Sequence, residues 1–295
     1  MESKKKSFFY LHLSVFLFGF TAILGDIIDL NFPSIVWWRS FFTTIILFFI
    51  IKISLLIKNI PLKYIFRHML IGFILGVHWL FFYGAIKISN PTMALIALSS
   101  SALITALLEP LLIKTAKLRF VDIILGILII PGFMLIFYNS DQLQQKGLWM
   151  GLTAALLGAT FSILNKKWLI KEKEFKLTFI QLFSVLITIS LFFLLFSGVF
   201  DLELQVPHGI DWFYMLIFAF FCTVLAYYLY LKAIHHISAF DVSLAFNMEP
   251  IYGIIMAALL LHDYREVSFY VYLGMIFITS IVFLDTTLKF KKKTM

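Results

Sequence analysis

Apolar residues run along this chain in long unbroken stretches, and polar residues collect in the short gaps between them. A strand crossing lipid would alternate polar and apolar positions every second residue, and these stretches do not. Backbone polar groups in lipid must be satisfied within their own element, so each stretch predicts a helix. At roughly 20 residues per crossing, ten helices fit. They are predicted at 8–28, 34–57, 68–86, 92–113, 121–138, 147–165, 178–198, 212–231, 240–261 and 268–285. Every connection is short, which leaves no room for a separate soluble domain. The first stretch follows Lys4, Lys5 and Lys6 as a signal sequence would. It continues from Phe8 to about Ile28 with no small-x-small cleavage site, so it reads as an uncleaved first helix. The expected fold class is all-α integral membrane.

Composition removes the soluble alternative. The chain is 62% hydrophobic and 14% charged, with a mean hydropathy of +0.98, whereas a soluble domain is about 45–50% apolar and about 25% charged. The net charge of +8 could suggest a nucleic-acid partner, but the basic residues sit in clusters between apolar stretches, which is a topology signal instead. With the N-terminus placed in the cytoplasm, inward-facing segments hold 20 of the 24 Lys and Arg residues. Only Arg39, Lys87, Lys146 and Arg265 fall outside. Merging or dropping one helix would invert every later loop and destroy that bias. The sequence therefore predicts a multi-pass membrane protein, with cytoplasmic termini and the lipid bilayer as a partner. The one cysteine, Cys222, lies inside an apolar stretch, excludes an intramolecular disulfide and reads as a buried thiol.

The order of helices and loops repeats. Gly84-Ala85-Ile86-Lys87-Ile88-Ser89 matches Lys232-Ala233-Ile234-His235-His236-Ile237-Ser238 at a shift of about 148 residues, and the same shift lays Ser101-Ala102 over Glu249-Pro250. Gly19-Phe20-Thr21 matches Gly158-Ala159-Thr160 at a shift of about 139. Each half then holds five helices, 1–140 and 141–295, and the odd number brings the second half in from the opposite side. Two inverted five-helix repeats are a common plan in secondary transporters.

These motifs resemble the EamA-type branch of the drug/metabolite transporter superfamily, over nearly the whole chain. Trp38-Arg39-Ser40-Phe41 opens helix 2 like the family's Arg-Phe signature. Tyr83-Gly84-Ala85-Ile86 through Ser89, with Ala94-Leu95-Ile96, resembles its helix 3–4 corner. Tyr230-Leu231-Lys232-Ala233-Ile234 and Asn247-Met248-Glu249-Pro250 resemble the second-repeat version. Two departures stand out: His262-Asp263 replaces a Gly-Glu after helix 9, and helix 4 carries an additional Glu109-Pro110. The resemblance implies a carrier of small organic metabolites such as amino acids, often an exporter. Its central cavity would lie between the repeats, walled by helices 1, 3, 4, 6, 8 and 9, and would open alternately to each side.

Ionisable groups at membrane depth cost about 2.5–3.5 kcal/mol on insertion scales and normally face the bundle interior. Glu249 is the leading candidate. At about 1.5 Å per residue it stands roughly 14 Å from either end of helix 9, and Pro250 frees the carbonyl of Phe246 beside it. It reads as a proton-coupling or substrate-amine-binding carboxylate, or as a structural Glu bonded to a neighbour. Ser243 and Asn247 share one face and suit the same cavity or interhelical packing equally. Ser101, Thr105 and Glu109 fall at i, i+4 and i+8, an inward stripe in which Glu109 is a gate, an ion pair or a substrate ligand. Ser99 to Ser101 also suit close helix packing. His78 could bond substrate or carry a proton, or simply bond a facing helix. Trp79 and its repeat mate Tyr227 are aromatic cavity walls or ordinary packing. Arg39 gates through Asp26 or Asp29, or anchors at headgroups beside Trp37 and Trp38. Asn165 and Lys166 read as interfacial.

No nucleotide-binding loop of the form G-x-x-x-x-G-K-[ST] is present, so a proton or substrate gradient is the expected drive, with the proton a candidate coupling ion. No cofactor and no metal are expected, the protein is not expected to be an enzyme, and monomer and homodimer both fit. An intramembrane lipid-modifying enzyme would need clustered acid/base or metal groups, and His235-His236 near Asp241 is the nearest approach to one. A channel or structural subunit is disfavoured by the inverted repeat.

Overall fold

The computed structural model of the chain describes residues 2–51, 60–114, 120–168, 174–200, 202–234, 245–246, 248–262 and 268–294. Among these residues every regular element is a helix. They are α1 (Glu2–Ile27), α2 (Phe32–Ile50), α3 (Leu62–Ile88), α4 (Pro91–Leu98), α5 (Ser101–Leu112), α6 (Phe120–Tyr138), α7 (Gln142–Trp168), α8 (Glu174–Phe200), α9 (Asp211–Ala233), α10 (Met248–Leu260) and α11 (Phe269–Thr294). Six of them, α1, α2, α3, α7, α8 and α9, are long and apolar enough to cross a membrane alone. The bent pair α4–α5 forms another span, and α6, α10 and α11 contribute shorter apolar helices. With α4–α5 counted once, the described helices fall into two successive sets of five.

Packing relates the two sets by an exchange of halves. α3 packs along α7 and α8, and α9 packs along α1 and α2. α4 and α5 lie on α7, and α10 lies on α1. The pairs α2–α8 and α6–α11 map onto themselves. Because each set has an odd number of spans, the exchange is an inverted repeat. Alternation defines two ends of the bundle. The near end holds the N-terminus and the junctions after α2, α5, α7 and α9. The far end holds those after α1, α3, α6 and α8.

Helix starts follow from local capping chemistry. Asn31 accepts from the Ser34 N–H at 2.9 Å ahead of α2, with Pro33 in the first turn. Asn90 accepts from the Met93 N–H at 2.9 Å ahead of α4, with Pro91 opening the helix. Side-chain acceptors at the N-cap and proline just inside both favour a helix start.

Two elements differ from the sequence expectation. The predicted continuous helix 92–113 is broken, and its two parts meet at 47°. Ser99 donates to the Ile96 carbonyl at 2.6 Å, Ser100 to Ala97 at 2.7 Å, and Ser101 to Leu98. Three successive hydroxyls competing for backbone carbonyls bend the helix there. The second difference is a π-helical turn, Phe220–Leu225, inside α9. The Ala226 N–H reaches past Cys222 to the Phe221 carbonyl, a register found often at functional sites. Ser243 and residues 240–244 of the predicted helix 9 lie outside the described residues.

Both ends carry polar ties. At the far end the segment between α8 and α9 straps the start of α2. Asn31 Nδ2 donates to the Glu203 carbonyl at 3.0 Å, Gln205 N–H to Ser34 Oγ at 2.9 Å, and Trp38 Nε1 to the Gln205 carbonyl at 2.8 Å. Lys87 Nζ donates to the carbonyls of Asp26 at 2.9 Å and Ile28 at 2.7 Å, a cation at the carbonyl end of α1. At the near end Lys166 pairs with Glu109, and Lys167 donates to the Leu112 carbonyl at 2.7 Å.

The α3–α8 crossing is tight at one point. A Cβ on Gly72 would fall 2.2 Å from the Gln181 carbonyl oxygen and 2.7 Å from Ser184 Cβ. Gly72→Ala is expected to lower stability by about 1–3 kcal/mol through overpacking. Thermal unfolding in detergent checks this, and an unchanged Tm would mean that the two helices do not approach so closely.

Candidate functional site

A cavity of about 150 Å³ lies in the middle of the bundle. That is close to the size of an engineered core cavity that admits benzene, so it suits a compact solute. Its walls come from α1, α3, α4–α5, α7, α9 and α10, together with Arg39 of α2 and Phe246 just before α10. Aromatic rings dominate. Phe18 stacks on Phe246 at 5.9 Å between ring centres, Tyr230 meets Phe246 edge-on at 5.3 Å, and Phe161 lies 5.9 Å from Tyr227.

Two opposite charges face this cavity. Arg39 is 1% exposed. Its guanidinium carbon sits 3.8 Å from the Trp79 ring centre and 4.3 Å from that of Phe218, a cation held between π faces. Arg39 Nε donates to Thr223 Oγ1 at 2.7 Å, Nη1 to the Tyr83 hydroxyl, and Nη2 to the Cys222 carbonyl at 3.1 Å. The π turn makes that last contact possible, because the Ala226 N–H bypasses the Cys222 carbonyl. Of the five guanidinium N–H groups, one on each terminal nitrogen is left over. No carboxylate pairs with Arg39 among the described residues. The sequence expectation that it gates through Asp26 or Asp29, or anchors at headgroups, is therefore corrected. Arg39 is pulled inward by the α9 carbonyl and the Tyr83 hydroxyl, deeper than a helix-end reading allows.

Glu249 is the second charge. It lines the cavity from α10, one turn on from Phe246. Among the described residues it has neither a hydrogen bond nor an ion pair. It is half-buried, and Arg39 is the charge that acts on it from a distance; a carboxyl inside a bundle with no close partner is costly unless a proton or a cation neutralises it.

The remaining candidates divide. His78 lines the cavity, and its Nδ1 lies 2.7 Å from the Ala154 carbonyl, so Nδ1–H donates and Nε2 is left as the acceptor. Ser101 and Thr105 line it too, but their hydroxyl protons go to the carbonyls of Leu98 and Ser101, leaving them acceptors only. Trp79 and Tyr227 are walls. Glu109, the third member of the stripe, is not on the cavity wall; two turns beyond Ser101 and near the end of α5, it pairs with Lys166. Asn247, Asp241, His235 and His236 lie outside the described residues. Asn165 is corrected from interfacial to fully buried. It and two residues not singled out from the sequence, His68 and Gln181, form a second polar knot.

A family model described as the EamA-like transporter family matches residues 5–138 and 145–285. The chain belongs to the EamA-like transporter family. The two matched segments coincide with the two sets of five helices that the packing relates by exchange. A solved structure titled "Crystal structure of protein" matches with a TM-score of 0.63 at 14% identity, covering 96% of this chain and 97% of that one, a likeness of fold alone. No curated protein matches the chain. As an EamA-like protein the chain is a multi-pass membrane transporter in a lipid environment, with a small-molecule substrate.

Proposed function

We propose that this EamA-like protein is a secondary transporter, an exporter of small zwitterionic metabolites such as amino acids, working by alternating access between units 1–140 and 141–295. Its near end faces the cytoplasm of a bacterial inner membrane, as the bias of basic residues favours. The observation that carries the substrate class is the pair of opposite charges, not in contact with each other, on one small aromatic cavity. The two spare N–H groups of Arg39 suit a carboxylate, Glu249 suits an ammonium, and the rings suit an apolar side chain. Ser101, Thr105 and His78 Nε2 offer acceptors for the remaining ammonium protons. Glu249 can carry either a proton or the substrate cation but not both, which gives proton–substrate exchange. Glu109 with Lys166 ties α5 to α7 at the near end as a gate pair, and Ser243 and Asn247 extend the polar face of Glu249.

A thermal-shift screen tests this reading. Neutral amino acids are expected to raise the Tm of the purified protein, while their methyl esters and N-acetyl derivatives, each lacking one charge, do not. Equal stabilisation by parent and derivatives, or by nucleosides alone, would overturn it.

A further inference from the structure

Near the near end of the cavity, four buried polar side chains from four helices bond to one another. Gln181 of α8 is the hub. Its Nε2 lies 2.7 Å from His68 Nδ1 on α3 and 2.9 Å from Asn165 Oδ1 on α7, and its Oε1 accepts from the Tyr227 hydroxyl on α9. Asn165 Nδ2 also reaches the Tyr227 hydroxyl at 3.2 Å. His68 Nε2 lies 3.2 Å from the Trp168 carbonyl at the end of α7. His68, Asn165 and Gln181 are fully buried.

This knot is the repeat-related counterpart of the one around Arg39. Exchanging the halves turns α2 into α8, α3 into α9 and α1 into α7. Gln181 stands 142 residues after Arg39 and Tyr227 stands 144 after Tyr83, a register that pairs Tyr227 with Tyr83 and not with Trp79, as the shift of about 148 had it. Arg39 joins α2 to α3 and α9, and Gln181 joins α8 to α9 and α3. One tyrosine in each knot, Tyr83 or Tyr227, also lines the cavity. The knots therefore sit at opposite ends of one chamber, each binding a helix outside the ring of cavity helices to the walls. They differ in charge: the far knot has a fixed cation and the near knot has none.

We infer that Gln181 is a positioning residue for transport: its knot holds α3, α7 and α9 together and closes the near end of the cavity, and it must come apart when the cavity opens there. Buried polar groups are costly to leave unpaired, so the knot is either fully made or fully hydrated. That makes it a two-state latch rather than a graded one. The Tyr227 hydroxyl is spent on the latch, so substrate meets the ring of Tyr227. The latch deepens the alternating-access reading, and its test does not need flux.

The test uses the full chain with Cys222→Ala, since the carbonyl of residue 222, not its thiol, makes the Arg39 contact. Ser162→Cys on the cavity wall of α7 serves as reporter, and a membrane-impermeant maleimide is supplied at one end of the bundle at a time. Gln181→Met, similar in size but unable to hydrogen-bond, is expected to raise near-end labelling about tenfold, the factor set by losing one to two net hydrogen bonds, with no rise from the far end. Tyr227→Phe, which removes one hydroxyl, is expected to shift labelling in the same direction by less. Unchanged near-end labelling in both variants, or an equal rise from both ends, would overturn the latch. A chain that moved no tested substrate but kept the one-sided labelling change would count against the transport reading alone.

Discussion

Glu249→Gln is expected to abolish pH-gradient-driven flux in proteoliposomes while the protein still inserts and elutes as a single folded species. The side chain keeps its size and can still hydrogen-bond, so the fold has little to lose. What it loses is the capacity to be charged. Glu249 has no hydrogen bond and no close ion pair among the described residues, only the more distant charge of Arg39, so its close neutralisation is left to whatever enters the cavity. A proton and a substrate ammonium compete for that one carboxyl, and their competition is the exchange. An amide can satisfy neither role. The loss of a charge-assisted hydrogen bond to the ammonium, about 1.5–3 kcal/mol, also weakens binding by roughly ten- to a hundredfold. Gradient-driven flux of wild-type size in the variant would remove Glu249 from coupling.

Arg39→Lys is expected to cut flux at least tenfold, and Arg39→Met by more than a hundredfold, from the loss of one to two charge-assisted bonds to a substrate carboxylate. The lysine variant is the more informative. It keeps the charge, but a single ammonium cannot span Thr223, Tyr83 and the Cys222 carbonyl while lying between Trp79 and Phe218, as the planar guanidinium does. Substrate affinity should fall more than maximal rate, because the group binds rather than carries the coupling charge. If binding of zwitterions is unchanged in Arg39→Lys, the guanidinium is a structural tie only. The two variants should also differ in what they spare. Glu249→Gln should retain binding of N-acetyl derivatives about as poor as wild type, while Arg39→Met should do the same for methyl esters.

The fold was legible from hydrophobic periodicity and charge placement, because length of apolar run and loop charge are local properties that the bilayer reads directly. The lining of the candidate cavity was half legible. Glu249, His78, Trp79, Ser101, Thr105 and Tyr227 were found because a polar or aromatic group in a long apolar run has to face inward. Arg39 was found but misplaced, since a charge near a helix end looks interfacial until the π turn of α9 and its exposed carbonyl are seen. His68 and Gln181 escaped because the predicted helices began at 68 and 178, which left both residues in a first turn. The helices begin at Leu62 and Glu174, and that sets both side chains deeper, where only a partner from another helix makes them tolerable. No periodicity encodes such partners. The bend at Ser99–Ser101 could have been suspected from three consecutive hydroxyls, which compete for carbonyls wherever they fall in a helix.

One cavity, presented alternately to the two ends, is proposed to bind zwitterions between Arg39 and Glu249. Counter-transport tests it most directly. Proteoliposomes holding the wild-type protein would be preloaded with each neutral amino acid in turn, and entry of the same labelled compound measured against its outside concentration. Saturable entry is expected, and it should accelerate when unlabelled substrate is present on the opposite side. Entry that rises linearly with concentration and ignores the opposite side, for every amino acid of the panel, would contradict it.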